Sequence, residues 1–328
     1  MVRKLPEGAL EEIIASYLAG GWNMDVIPLN QIICGDCIEI MKKIPNESVD
    51  MCFADPPFNL GKKYGRYKDD KPFQEYLEWC KKWLDEMIRV LKPTGSLFVH
   101  QIPRVLIHFG SYLSKKLIFR HWIAWDAMGA PLGKTLLPNH YGILWYVKSN
   151  NFKFYDIRIP HPRCRKCDEI LADYGGKKDQ IHPFGPLLSD VWTDIHRIRH
   201  NKRRDDHPCQ LPEHLIERLI LMCTDENDIV LDPFVGTGTT AIAAKRLGRR
   251  YIGIDIDPEY VEISKRKLEK VEPTMINGCY VSIFLDKVIT IRDKDYERIK
   301  GFLETKRFRI NSKKCKQMTL PILKNEKK

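Results

Sequence analysis

The sequence predicts an α/β fold built on a doubly wound, mostly parallel sheet, and three observations predict it. Short apolar runs of strand length alternate along the chain with longer segments whose apolar residues recur at helical spacing. A glycine-rich turn, Leu231-Asp-Pro-Phe-Val-Gly-Thr-Gly-Thr-Thr240, joins one such run to an apolar helix, which is where open α/β sheets bind nucleotide-like ligands. A second turn, Asp55-Pro56-Pro57-Phe58, closes another run, because two prolines forbid further ladder pairing.

Taken in order, residues 8 to 19 read as a short helix ahead of the main fold. Val49 to Ala54 form a buried strand that delivers Asp55 to its C-terminal edge. From 73 to 91, Phe73, Tyr76, Leu77, Cys80, Trp83, Leu84, Met87, Ile88 and Leu91 share one helical face. Lys92-Pro93-Thr94-Gly95 is expected to end that helix, with a strand from Ser96 to His100 following at once. Strands are expected at Trp122 to Trp125, Ile143 to Val147, Ile229 to Asp232 and Tyr251 to Asp255. A helix from Leu211 to Cys223 precedes the third of these. After 273, Tyr280 to Ile291 alternates like a hairpin and Asp293 to Glu304 reads as helical.

The 328 residues suffice for one large core with insertions, and 43% hydrophobic with 30% charged residues is ordinary globular usage. We divide the chain into an N-terminal helical extension (1–30), a catalytic half (31–149), a recognition insertion (150–206), a cofactor-binding half (207–272) and a C-terminal appendage with a basic tail (273–328). The insertion is rich in Pro, Gly, Arg and His and has little periodicity. Ten cysteines at irregular spacings do not make a disulfide framework and are expected to be reduced core residues. No stretch reaches the roughly 18 apolar residues of a membrane span, and the N-terminus lacks a secretory apolar run, so a cytoplasmic location without membrane partners is expected. A net charge of +11 favours a polyanionic partner, through release of counterions from phosphates.

The glycine turn lets the backbone approach a ligand closely, and the following helix N-terminus offers unpaired N–H groups to a carboxylate. About twenty residues on, Arg250-Tyr-Ile-Gly-Ile-Asp255 ends in an acid suited to ribose hydroxyls. NAD fits less well, because the third glycine of the dinucleotide fingerprint is missing. The Asp55 turn on its own reads equally as a stiff Asx turn. Chemically, an exocyclic amino group on a base is a poor nucleophile that improves when acceptors hold both hydrogens. The Asp55 carboxylate and Pro56 carbonyl, aimed by rigid prolines, are two such acceptors. Phe58 supplies an aromatic face for a base taken out of the duplex.

Asp55-Pro-Pro-Phe58 resembles the (Asp/Asn/Ser)-Pro-Pro-(Tyr/Phe) signature of amino methyltransferases, and Phe234-Val-Gly-Thr-Gly238 resembles their cofactor loop. The catalytic motif precedes the loop by about 180 residues. That permuted order is similar to the beta group of bacterial and archaeal DNA amino methyltransferases, over roughly residues 30 to 272. The resemblance implies a Rossmann-like methyltransferase fold, S-adenosylmethionine as cofactor and double-stranded DNA as substrate. It implies Asp55, Pro56, Pro57 and Phe58 as catalytic residues. It also implies Asp36, Asp232, Phe234, Gly236, Gly238, Thr239 and Asp255 as cofactor-binding residues. His207-Pro-Cys-Gln-Leu-Pro212 is similar to a family segment beside the methionine end of the cofactor, implicating His207; Leu211 stands where that segment usually has Lys. An Asp at the first catalytic position usually accompanies adenine N6 methylation in this family, and Ser cytosine N4 methylation. Adenine is therefore expected, with cytosine N4 the alternative.

Between His196 and Arg204, five cations and two histidines occupy nine positions. Arg197, Arg199, Arg203 and Arg204 are expected at DNA phosphates, as are Lys62 and Lys63 just after the catalytic turn. Cys164-Arg-Lys-Cys167 has the spacing of half a zinc site, with His161 and His182 nearby. The missing second pair leaves a reduced loop pair as the expectation and zinc as the minority alternative. A cognate restriction endonuclease and a second copy of the chain stand as further candidate partners. RNA or protein amide methyltransferases place the cofactor loop first, which counts against them here. An inactive DNA-binding homologue has no need to keep both motifs.

Overall fold

The computed structural model describes residues 28–64, 67–127, 139–162, 181–198 and 210–305. In chain order these form β1 (Gln31–Cys34), α1 (Cys37–Met41), β2 (Val49–Ala54), β3 (Lys63–Tyr64), β4 (Tyr67–Lys68), α2 (Phe73–Val90), β5 (Leu91–Gln101), α3 (Pro103–Leu113), β6 (Ile118–Asp126) and β7 (His140–Val147). There follow β8 (Ile157–Arg158), β9 (Val191–Trp192), α4 (Glu213–Cys223), β10 (Ile229–Asp232), α5 (Thr239–Arg246), β11 (Arg250–Asp255) and α6 (Pro258–Leu268). The C-terminal part adds β12 (Met275–Ile276), β13 (Cys279–Tyr280), β14 (Ser282–Phe284), β15 (Lys287–Arg292), a 3-10 turn (Asp293–Asp295) and α7 (Tyr296–Thr305). The helix expected at 8 to 19 and the basic tail beyond 305 lie outside the described residues.

Eight strands form one sheet in the order β1-β11-β10-β2-β5-β7-β6-β9. Its neighbours are parallel except β5 with β7 and β7 with β6. The mostly parallel, doubly wound sheet read from the sequence is therefore present. Alternate residues of β2 feed opposite layers. Met51 and Phe53 pack with Leu215, Ala241 and Val261, while Cys52 and Ala54 pack with Tyr76, Trp83 and Phe109. This period of two is why the strand reads as a continuous apolar run covered on both sides.

One boundary differs from the expectation. The chain passes from α2 into β5 at Leu91, and Lys92 to Gly95 form an irregularity inside the strand, since Val49 faces Leu91 while Met51 faces Ser96. Pro93 has no N–H to give the ladder, and the Lys92 ammonium is held by buried Asp50 at 2.8 Å. The hairpin expected near 280 to 291 is β14 and β15, and the helix after 293 is the 3-10 turn with α7. Two pieces of the insertion join larger sheets. β9 pairs beside β6 at the edge of the main sheet, and β8 pairs with β15.

The C-terminal hairpin is fastened to α4, all of whose residues from Leu215 to Cys223 are buried. Arg218 forks onto Asp194 at 3.0 and 2.5 Å and also reaches Thr290, linking the insertion, α4 and β15. Burial pushes the Glu217 carboxyl up, and Ser282 and Arg246 donate to it. Among the described residues, all six cysteines are free thiols, and no helix is long and apolar enough to cross a membrane.

Candidate active site

β2 and β10 are paired neighbours, with Met51 opposite Val230 and Cys52 opposite Leu231. From β2 the chain crosses through α2 to β5 on one side, and from β10 through α5 to β11 on the other. Such a reversal of direction opens a crevice beyond the carboxyl ends of the two strands. Here it is a cleft into which the Asp55 turn and the glycine loop both project. Asp36, Asp55, Pro56, Pro57, Phe58, Asp232, Phe234, Gly236, Thr239 and Asp255 all line it.

The Asp55 turn is braced from two sides by the end of β5. His100, only 2% exposed, places Nδ1 2.7 Å from the Asp55 Oδ1. Its neighbour Gln101 donates to the Tyr76 hydroxyl at 3.1 Å, and that hydroxyl donates to the Pro57 carbonyl at 2.7 Å. The Pro57 oxygen is thus engaged within the protein. Phe58 is buried and packs between His100 and Tyr141, with ring centroids 5.7 and 5.8 Å away. Lys62 places its ammonium 5.7 Å from the centre of the Phe58 ring. The backbone after the turn winds around buried Asp69, whose carboxylate accepts the N–H groups of Asn59, Leu60 and Lys62 at 2.7, 2.9 and 3.1 Å.

On the other wall, Asp232 ends β10 and is 3% exposed. It accepts the Phe234 N–H at 2.8 Å and the Thr240 hydroxyl at 2.5 Å, shaping the loop from within. Phe234 stands edge-on to Trp79 and Trp83. Asp255 ends β11 and accepts the N–H groups of Gly236 and Asp257 at 2.9 and 2.8 Å. Burial pushes the Asp232 carboxyl up to about 7 and the Asp255 carboxyl up to about 6. Asp36 caps α1 by accepting from Ile38 and Glu39. The chemistry is that of a cleft whose acids, Asp232 and Asp255, suit a cationic ligand on one side. On the other side the Asp55 carboxylate and Pro56 line the cleft.

Gly238 does not line the cleft. It adopts φ +93°, and a Cβ there would sit 3.0 Å from the Ser264 hydroxyl oxygen, so it packs the loop against α6. Lys62 and Arg197 do not line the cleft either, and Lys63 belongs to the short β3 strand. Arg199, Arg203, Arg204, His207, Cys164 and Cys167 lie outside the described residues. Gln210 and Leu211, from the same segment as His207, do reach the cleft. Sequence reading missed His100, Tyr76, Gln101 and Asp69. A signal existed for His100 and Gln101, which end a strand of the parallel part of the sheet, where site residues gather. None existed for Tyr76, which reads as one more apolar position on the helical face.

Residues 49–266 match the model of the N6/N4 methyltransferase family, described as DNA methylase. The chain is 44% identical over 244 residues to the type II methyltransferase M.BamHI of Bacillus amyloliquefaciens, a match covering 74% of this chain and 57% of that protein. It is 37% identical to the type II methyltransferase M.HpaI of Haemophilus parainfluenzae, over 73% of this chain and 74% of that one. The match thus spans little more than half of the first relative and about three quarters of the second. Among solved structures, a putative DNA modification methylase of Thermus thermophilus, complexed with S-adenosyl-L-methionine, superposes with a TM-score of 0.52. That likeness covers 75% of this chain and 95% of that one at 24% identity, and it establishes a shared fold.

Proposed function

The chain belongs to the N6/N4 family of DNA methylases, and from that membership we propose that it transfers a methyl group from S-adenosylmethionine to an exocyclic amino group of DNA, adenine N6 in first place. One observation carries the reading: β2 lies beside β10, so the Asp55 turn and the glycine loop open onto a single cleft. The donor's fit rests on Asp232 and Asp255, two acids of the cleft wall that complement its positive charge, and on the glycine turn at Gly236 that lines the same wall. Asp36 and Asp255 would hold its adenosine end, and the N-terminus of α5 at Thr239 its carboxylate. S-adenosylmethionine supplies a methyl group on a sulfonium, an electrophile that needs no metal.

The protein's share is orientation and electrostatics. Asp55 accepts one amino hydrogen and the Pro56 carbonyl the other, turning the nitrogen lone pair toward the donor. With the donor bound, its sulfonium would give up the methyl and keep the electron pair of the broken bond, while Asp55 would take the surplus proton from the amino nitrogen. Phe58 packs against the base that the enzyme has taken out of the stack. Lys62, Lys63 and the basic segment from Arg197 to Arg204 would meet phosphates. His207 would lie beside the donor's methionine end. The recognition loops belong to residues 150–206 and the donor site to 207–272. A cognate endonuclease is a partner reading drawn from the type II relatives, and the work is assigned to the cytoplasm, where the DNA is.

The test is methyl transfer from labelled S-adenosylmethionine to unmethylated DNA of mixed sequence, followed by digestion to nucleosides. Labelled N6-methyladenine is expected, abolished by Asp55→Ala with donor binding intact. Labelled N4-methylcytosine replaces the base assignment. A protein that binds the donor and transfers nothing to any DNA refutes the reading.

A further inference from the structure

His100 is buried in a wall of rings. Its centroid lies 5.7 Å from Phe58, 5.6 Å from Trp125 and 5.2 Å from Tyr141. Trp125 is itself fixed by donating its indole N–H to the Ile195 carbonyl at 2.7 Å. Within this wall the imidazole makes one hydrogen bond, from Nδ1 to Asp55 Oδ1 at 2.7 Å. Its Nε2 is buried and has no hydrogen-bond partner among the described residues. A carboxylate has no hydrogen to give, so the proton of this bond sits on Nδ1 and the imidazole donates. The imidazole therefore serves the site through Nδ1 alone, against the Asp55 carboxylate.

A ring kept only for packing would be better served by phenylalanine, which leaves no polar atom unsatisfied. The orphaned Nε2 is tolerated because Nδ1 has a task. We propose that His100 is the positioning residue of methyl transfer: it takes one oxygen of Asp55 and thereby points the other at the amino group of the target base. Without it, the Asp55 side chain can rotate about two torsions, and its acceptor oxygen no longer has a fixed direction. Gln101, one residue on, braces the Pro57 carbonyl through Tyr76. The end of β5 thus holds both the side chain and the backbone of the turn.

This inference rests on the methyl-transfer reading above, and the experiment separates the two. Single-turnover transfer of labelled methyl to DNA and equilibrium binding of S-adenosylmethionine are measured for wild type, His100→Ala, His100→Phe and His100→Asn. The phenylalanine fills the ring's space without a donor, and the asparagine amide nitrogen falls near the place of Nδ1. The donorless variants are expected to lose about 100-fold in transfer rate, the scale of losses when a reacting group's support is removed. Their donor affinity stays within about twofold of wild type, and His100→Asn recovers to within about tenfold in rate. Combining His100→Phe with Asp55→Ala is expected to cost no more than Asp55→Ala alone, since His100 acts through Asp55. A His100→Phe rate within about threefold of wild type overturns the proposal. So does an asparagine variant no faster than the phenylalanine one, or losses that multiply in the double variant. Absence of transfer by wild type itself is a different result, which removes the methyl-transfer reading and this inference with it.

Discussion

The Asp255 carboxylate accepts the backbone N–H of Gly236 at 2.9 Å, so the acid that ends one strand holds the glycine loop that follows its neighbour. An ionised carboxylate has about four acceptor sites. Asp255 spends two of them on Gly236 and Asp257, and its remaining capacity faces the cleft. The side chain that holds the loop is thereby coupled to the cleft it faces.

That coupling has a pH signature. Asp232, pushed up to about 7, and Asp255, pushed up to about 6, keep protons in the folded protein at pH values where the unfolded chain has lost them. Folding takes up protons in that window, so stability of the ligand-free protein falls as pH rises from about 4 to about 7. A bound cation favours the charged carboxylates and reverses the sign. The dissociation constant for S-adenosylmethionine is expected to be about tenfold weaker at pH 5.5 than at pH 8, with Asp232→Asn flattening the profile. Calorimetric titration across this range checks it, and a flat wild-type profile contradicts it.

Gly238→Ala is expected to destabilise more than Gly61→Ala, although both glycines have positive φ. At Gly61, φ is +70° and nothing lies within 4 Å of the place a methyl would take, leaving strain alone, about 1 kcal/mol. At Gly238, φ is +93° and the methyl meets Ser264, whose hydroxyl donates to the Gly236 carbonyl at 2.7 Å. Disturbing that contact adds loop distortion, for a total of about 2–3 kcal/mol and weaker donor binding. Urea unfolding of both variants decides; equal losses would show that Ser264 yields freely.

Asp69→Ala removes the acceptor of three backbone N–H groups and is expected to cost about 2–4 kcal/mol. Because Asp69 winds the segment that follows Phe58, transfer should fall further than donor affinity, and protease cleavage between 59 and 70 should quicken. Unchanged cleavage and a loss under about 0.5 kcal/mol would show that the segment holds its shape without Asp69.

Local features were readable wherever the signal itself is local. The strand ending at Asp55, the helix over α2, the glycine loop and its acid at Asp255 all appeared where expected, because periodicity, proline and glycine act within a few residues. The turn expected at Lys92 to Gly95 became a bulge inside β5, since pairing with β2 overrode the local stop signal. β9 could not be anticipated: two residues, Val191 and Trp192, become a strand because the edge of β6 lies open beside them.

By itself the sequence determined what each half of the site is made of: an acid on a rigid proline turn, and a glycine loop followed by a second acid. Only the tertiary structure decided that the halves meet. Strand order depends on long-range packing and on which way each crossover turns, and neither leaves a mark on the residues within a single strand. The same holds for His100 and Tyr76, 45 and 19 residues from the groups they hold. A histidine ending a strand and a tyrosine on a helical face look ordinary until folding brings one against Asp55 and the other against Pro57.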